Sequence, residues 1–214
     1  MFADSGNLIS REDYGKGYAL YAIDLTPDLT SSEHFNPVQT GNRMNSTTIE
    51  KILRSDNCTK HVFGGVYASD KLPETVDSYP KAYVVNVDES YMPGSHWVAF
   101  WFASPTYGEF FDSLGQDPEA YTLSFVSFLA KNCSKWTCNR RTLQSPFSSV
   151  CGHFCIYFIY YRCRNIATST REHKFTRNLV KNDELVAAFV RAIFHAKSRN
   201  KFGQKAIAKY SKTM

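Results

Sequence analysis

From Asn45 onward the apolar positions change period several times, and each change marks an element. Asn45-Ser46-Thr47-Thr48-Ile49-Glu50-Lys51-Ile52-Leu53 joins a capping side chain to helical apolar spacing and predicts a short first helix. Runs rich in β-branched and aromatic residues predict strands at about 64–68, 81–87, 96–103 and 107–112. The last two form an antiparallel hairpin about Pro105-Thr106-Tyr107-Gly108. Between Pro118 and Lys131, Tyr121, Phe125, Phe128 and Leu129 recur at helical spacing, which predicts an amphipathic helix lying on the sheet. Another strand, roughly 136–143, leads to Gln144. The stretch Ser148–Tyr161 is apolar nearly all round once past its serines and reads as a buried central helix with a serine N-cap. Between Asn182 and Lys197, Leu185, Val186, Phe189, Val190, Ile193 and Phe194 make one helical face that has to pack on something. These elements predict an α+β fold.

Four polar residues interrupt this pattern in apolar or small-residue frames: His96, Asp112, Gln144 and Cys151. His96 opens the run Trp97-Val98-Ala99-Phe100-Trp101-Phe102, and Asp112 closes Glu109-Phe110-Phe111-Asp112. An antiparallel hairpin brings both toward one end of the sheet, where the carboxylate fixes the tautomer and orientation of the imidazole. Cys151 falls in the first turn of its helix, where unpaired N–H groups and the helix dipole favour an anion. That placement promotes the thiolate, most strongly with an imidazolium beside it. Gly152 leaves its backbone open to close approach, and Gln144 offers a side-chain amide. This amide and the Cys151 N–H make an oxyanion hole, worth on the order of 3 kcal/mol per donor in acyl transfer. Together the four describe a cysteine protease. Cys155 and Cys163 fit packing instead, and His153 points away from Cys151 on a helix and is a poor general base. Trp97 serves both to shield the imidazole and to fill the core. Gln144 also fits a plain turn with Ser145-Pro146.

The order His-Trp, Asp, then Gln-x6-Cys-Gly resembles the adenovirus endopeptidases and their relatives in Polinton/Maverick transposons and adintovirus-like elements, within a wider group that includes the ubiquitin-like-protein proteases. Phe63–Pro73, Gly94-Ser95-His96-Trp97 and Phe111-Asp112-Ser113-Leu114-Gly115 look most like the transposon-encoded members. The resemblance covers residues 44 to about 165. It implies a central mixed sheet packed against the buried helix that bears the nucleophile, with His96, Asp112 and Cys151 catalytic. It further implies cleavage of capsid or virion precursors after small residues such as Gly, inside a host nucleus or virion. No cofactor is required for the chemistry. By resemblance an activating viral peptide, bonded through Cys133, and DNA are implied partners; Cys138 is also available for the peptide. A protease of ubiquitin-like modifiers shares the same four residues. An inactive protease-like domain kept for structural or DNA-binding work keeps the fold alone.

Composition bounds the rest. The chain of 214 residues is long enough for one sizeable core with a modest appendage. Its six cysteines, without a signal peptide, fit a reducing intracellular compartment. Cys58-x2-His61 lacks a second half, so no metal site is expected, and no apolar stretch is long enough to cross a bilayer. The first 43 residues differ from the others: Tyr14–Leu29 is aromatic-rich and punctuated by Gly and Pro. They resemble a fragment of a transposon capsid-like protein, which implies that residues 1–43 are either an extension foreign to a protease core at 44–170, with Met44 a candidate initiator, or an ordinary N-terminal strand extension of it. From Arg171 to Met214 eleven Lys/Arg face three Asp/Glu, whereas the whole chain carries only +5. This segment reads as a basic helix and tail suited either to solvent or to non-specific phosphate binding.

Overall fold

The computed structural model describes residues 43–165 and 174–210, with side chains as far as 194. These lie in the second of two units of the chain, residues 37–214. The expected N-terminal extension and the side chains of the basic tail fall outside the described residues.

Helix α1 (Ser46–Ser55) starts where the sequence predicts, because Asn45 accepts the Thr48 N–H at 2.8 Å and caps it. A single turn, α2 (Thr59–Val62), follows and was not foreseen. Five strands then form one mixed sheet in sequential order: β1 (Phe63–Ala68), β2 (Lys81–Asn86), β3 (Trp97–Ser104), β4 (Tyr107–Phe111) and β5 (Trp136–Cys138). The central pairings β2/β3 and β3/β4 are antiparallel, and the edge strands β1 and β5 run parallel to their neighbours. The predicted strand at 136–143 is cut to three residues. After Cys138 the chain leaves the ladder because Asn139 turns its amide to Asp112, accepting that residue's N–H at 2.8 Å and donating to its carbonyl at 2.6 Å.

Both faces of the sheet are covered. Ala82, Val84, Trp97, Ala99, Trp101 and Phe111 point into a core shared with α1 and with α4 (Cys151–Arg162). Their sequence neighbours Tyr83, Val85, Val98, Phe100, Phe102 and Phe110 point into a second core beneath α3 (Leu123–Asn132). Strands buried on both sides lose the polar alternation of an exposed sheet, which is why β3 reads as a continuous apolar run. Helix α5 (Leu179–Tyr210) lies against α4, with Val186, Val190 and Ile193 buried and Leu185, Phe189 and Phe194 packed beside them.

The amphipathic helix predicted for Pro118–Lys131 is divided. A 3-10 turn (Pro118–Ala120) ends at Tyr121, and Thr122 caps a separate α3 by accepting the Ser124 N–H at 3.3 Å. Phe125, Phe128 and Leu129 keep the predicted buried face, and Tyr121, though outside α3, still packs at the edge of the same core beside Phe125.

Candidate active site

His96 stands at the mouth of β3, its carbonyl accepting the Val87 N–H at 3.0 Å. Asn86 holds the preceding loop, accepting the N–H groups of Asp88 and Ser95 at 3.0 and 3.3 Å. Gly94 has a φ of +80°, and a Cβ there would fall 2.7 Å from the Asn86 amide, so the loop closes on Asn86 only with glycine. Asp112 follows directly on β4. Because Ala99 lies opposite Phe111 in the antiparallel ladder, His96 and Asp112 come to the same end of the sheet, with His96 Nε2 2.6 Å from Asp112 Oδ1.

The Asp112 carboxylate is wholly buried and carries two donors on each oxygen. His96 and the Leu114 N–H (3.0 Å) reach Oδ1; the Gln116 N–H and the Tyr121 hydroxyl, both at 2.9 Å, reach Oδ2. Burial pushes this carboxyl's pKa up, but His96 and the backbone N–H groups outweigh it and hold it below the usual range. Burial likewise works against a charge on His96. The hydrogen bonds to Asp112 and to Cys151 outweigh it and raise the imidazole from 6.5 to about 9. With Nε2 on Asp112, the ring's other nitrogen, Nδ1, is the one left for the Cys151 thiol.

Cys151 opens α4 and is 3% exposed. The expected serine cap is not what the structure contains. Val150 occupies the cap position and no side chain caps the helix, while Ser148 Oγ donates to the Ser145 carbonyl at 3.1 Å. The His153 N–H turns back to the Val150 carbonyl at 2.9 Å, and no side-chain cap takes the N–H of Cys151, which points to the helix mouth where a ligand would bind. Gln144 lies in the loop leading to this turn and is 4% exposed. Its Oε1 accepts the Ser113 hydroxyl at 2.7 Å and its Nε2 donates to the Ser148 carbonyl at 3.0 Å, which leaves one amide hydrogen for a substrate.

The sequence did not single out Tyr121 and Ser113. The Tyr121 ring stacks on His96 with centroids 5.9 Å apart at 26°, and its hydroxyl binds Asp112. Burial and the Asp112 charge push this phenol's pKa far up, so it acts as a donor. The signal was Thr122, whose capping character separates Tyr121 from the helix that follows. On the other side, Trp97 is 8% exposed and donates its Nε1–H to the Met44 carbonyl at 3.0 Å. A Cβ on Gly152 would sit 3.2 Å from Met44 Cβ and 3.4 Å from Trp97 Cδ1, so the glycine lets the α4 backbone come close under both. A groove of about 530 Å³, lined by Met44, Tyr67, Asn86, Met92 and Trp97 among others, runs beside this end of the sheet.

Residues 63–203, a span that includes all four residues, match the adenovirus endoprotease family. The chain belongs to that family. It is a cysteine protease by descent, and it is similar in structure to the ASFV pS273R protease. That likeness has a TM-score of 0.43 at 16% identity, over 67% of each chain. A selenomethionine crystal form of the ASFV protease matches at a TM-score of 0.31 and 20% identity, over 48% of this chain and 41% of that one. No curated protein matches the chain.

The protease's remaining cysteines sit away from these four residues or are closed off. Cys155 is fully buried one turn beyond Cys151, and burial raises its pKa well above the usual value. Cys133 is 4% exposed, packed under Gly108 in the second core, and burial raises its pKa too, so a disulfide to an incoming peptide requires α3 or β5 to shift. Cys138 is half-buried; burial, with Asp117 and Glu119 nearby, pushes its thiol up to about 11. His153 is buried, and burial together with Arg191 lowers its pKa to about 4. Among the described residues, no three His, Cys, Asp or Glu side chains gather where a metal could bind. No described helix is long and apolar enough to cross a membrane.

Proposed function

We propose that this protease is an endopeptidase working by a Cys-His-Asp mechanism. Cys151, paired with His96, attacks a peptide carbonyl, and the new oxyanion is held by the Cys151 N–H and the Gln144 amide. His96 then gives its proton to the leaving amine, and the peptide C–N bond breaks. Water deprotonated by the same imidazole releases the acyl group and restores the thiol. Asp112 orients His96 and stabilises its charged form. The observation that supports this most is the continuous chain from the buried Asp112 through His96 Nε2 to a second hydrogen bond with Cys151.

The substrates are capsid or core precursors of a virus-like element of the Polinton/Maverick or adintovirus kind, cut after small residues, in a host nucleus or virion. An activating peptide at Cys133 and DNA along the basic C-terminal segment belong to the same proposal. The test is cleavage of a co-encoded capsid precursor beside a panel of ubiquitin-like C-terminal substrates, using wild type, Cys151→Ala and His96→Ala. Capsid cleavage lost in both variants supports the proposal. Cleavage confined to the ubiquitin-like panel would assign a modifier-specific isopeptidase instead, and no cleavage with or without DNA and peptide would leave a domain without this chemistry.

A further inference from the structure

Near the start of α5 two neighbouring polar side chains are buried. Asn182 is 1% exposed and Asp183 is 3% exposed. Both reach the loop that carries Gln144. Asn182 Nδ2 donates to the Leu143 carbonyl at 3.0 Å and to the Thr176 carbonyl at 3.1 Å, while its Oδ1 accepts the Thr176 N–H at 2.8 Å. The Asp183 carboxylate takes the Ser145 N–H, 3.3 Å from each oxygen, and shares the Ser148 hydroxyl proton with the Ser145 carbonyl. The residues on either side of Gln144 are thus pinned from α5, and so is Ser148, whose carbonyl fixes Gln144 Nε2. Leu143 packs in the first core and the Leu143 and Gln144 N–H groups bond the Ser113 carbonyl, which holds one side of the loop; beyond Ser145 the chain turns out to a 97% exposed Phe147, and there α5 supplies the hold.

We infer that Asn182 and Asp183 are positioning residues for the oxyanion hole, so that α5 holds the Gln144 amide hydrogen in line with the Cys151 N–H. The inference rests on the oxyanion role proposed for Gln144. An oxyanion donor acts only when it meets the developing charge at hydrogen-bond distance, and removing one costs about 10²- to 10³-fold in rate. A loop allowed to drift loses part of that factor while the Cys151–His96 pair, held by the sheet and α4, keeps its reactivity. Burial of a carboxyl is costly unless its hydrogen bonds are made, so Asp183 is retained at a cost that its two bonds to this loop offset.

Two probes of Cys151 separate these contributions without a known peptide substrate. p-Nitrophenyl acetate acylates the thiol through a tetrahedral oxyanion, whereas iodoacetamide alkylates it by displacement at carbon with no oxyanion formed. Asp183→Ala and Asn182→Ala are expected to slow acylation about tenfold while alkylation stays within about twofold; the expected size is a fraction of a full donor's loss. Asp183→Asn, whose amide oxygen still accepts the Ser145 N–H, is expected to restore most of the acylation rate and guards against a merely unfolded alanine variant. In a Gln144→Ala background, Asp183→Ala is expected to add nothing, because residues acting through one group are not additive. Acylation and alkylation falling together, or full additivity on Gln144→Ala, would overturn the brace and leave the oxyanion role standing. If Gln144→Ala itself acylates like the wild type, that role fails and the brace falls with it.

Discussion

Replacing Asp112 by Asn tests what the carboxylate does for His96. The side chain keeps its shape, but an NH2 now faces two donors whichever way it turns: His96 and the Leu114 N–H on one side, or the Gln116 N–H and the Tyr121 hydroxyl on the other. The imidazole loses the carboxylate that opposes its burial. The rise of His96 from 6.5 to about 9 corresponds to roughly 3 kcal/mol in favour of imidazolium, at about 1.36 kcal/mol per pKa unit. Iodoacetate is an anion and iodoacetamide is neutral, so the ratio of their rates with Cys151 reports the charge on the imidazole beside it and falls once His96 loses its proton. Read by peptide mass spectrometry from pH 5 to 10, the wild-type ratio is expected to drop around pH 9. In Asp112→Asn the drop should move down by about one pH unit or more, because Asp112 supplies the larger of the two contributions, with Cys151, that raise His96 against burial. Stability gives a second readout. A raised pKa lends stability that is complete below 6.5 and disappears as pH climbs through about 9, so wild type weakens across that window and the variant does not. An alkaline limb that stays near 9 in Asp112→Asn would refute the argument that Asp112 sets the charge on His96.

Other expectations follow from the same geometry. His153 is held neutral with a pKa near 4, so its contribution is intact above 6.5 and is lost as pH falls toward 4, by up to about 3 kcal/mol; urea unfolding at pH 7 and 4.5 should show that loss shrinking in His153→Met. Tyr121→Phe removes a hydrogen bond to a buried carboxylate and should cost about 1.5–3 kcal/mol in chemical denaturation, and an unchanged midpoint would deny that the bond matters. Phe158 is 1% exposed and stacks on Phe111 at 4.6 Å, so Phe158→Ala should lower stability by about 3–5 kcal/mol; a loss under 1 kcal/mol by the same assay would mean that the core collapses to fill the space.

Three of the four residues were legible because each is the polar end of an apolar frame: His96 before β3, Asp112 after β4, Cys151 at the head of α4. Strand and helix periods place such ends, and the antiparallel hairpin brings two of them together. What the sequence hid depends on contacts between distant segments. Nothing local tells that Asn139 shortens β5 by bonding the backbone of Asp112, or that Asn182 and Asp183 turn back to the Gln144 loop. Tyr121 was placed in one continuous helix because Tyr121, Phe125 and Phe128 keep a helical spacing even though Thr122 starts a new helix between them; its link to Asp112 was therefore hidden. The serine cap failed for a related reason: Ser148 closes the oxyanion loop instead of the helix.

The bond between the Trp97 indole and the Met44 carbonyl joins the groove to the stretch of chain just ahead of α1, and Arg43 adds a hydrogen bond to the Gly94 carbonyl. Two polypeptides, one with and one without the first 43 residues, would share every reacting side chain but not the same field. The shorter would place an ammonium group at Met44 and lose the guanidinium that grips the turn before His96. A chain beginning at Met44 would in this way carry a different charge at the rim of the groove.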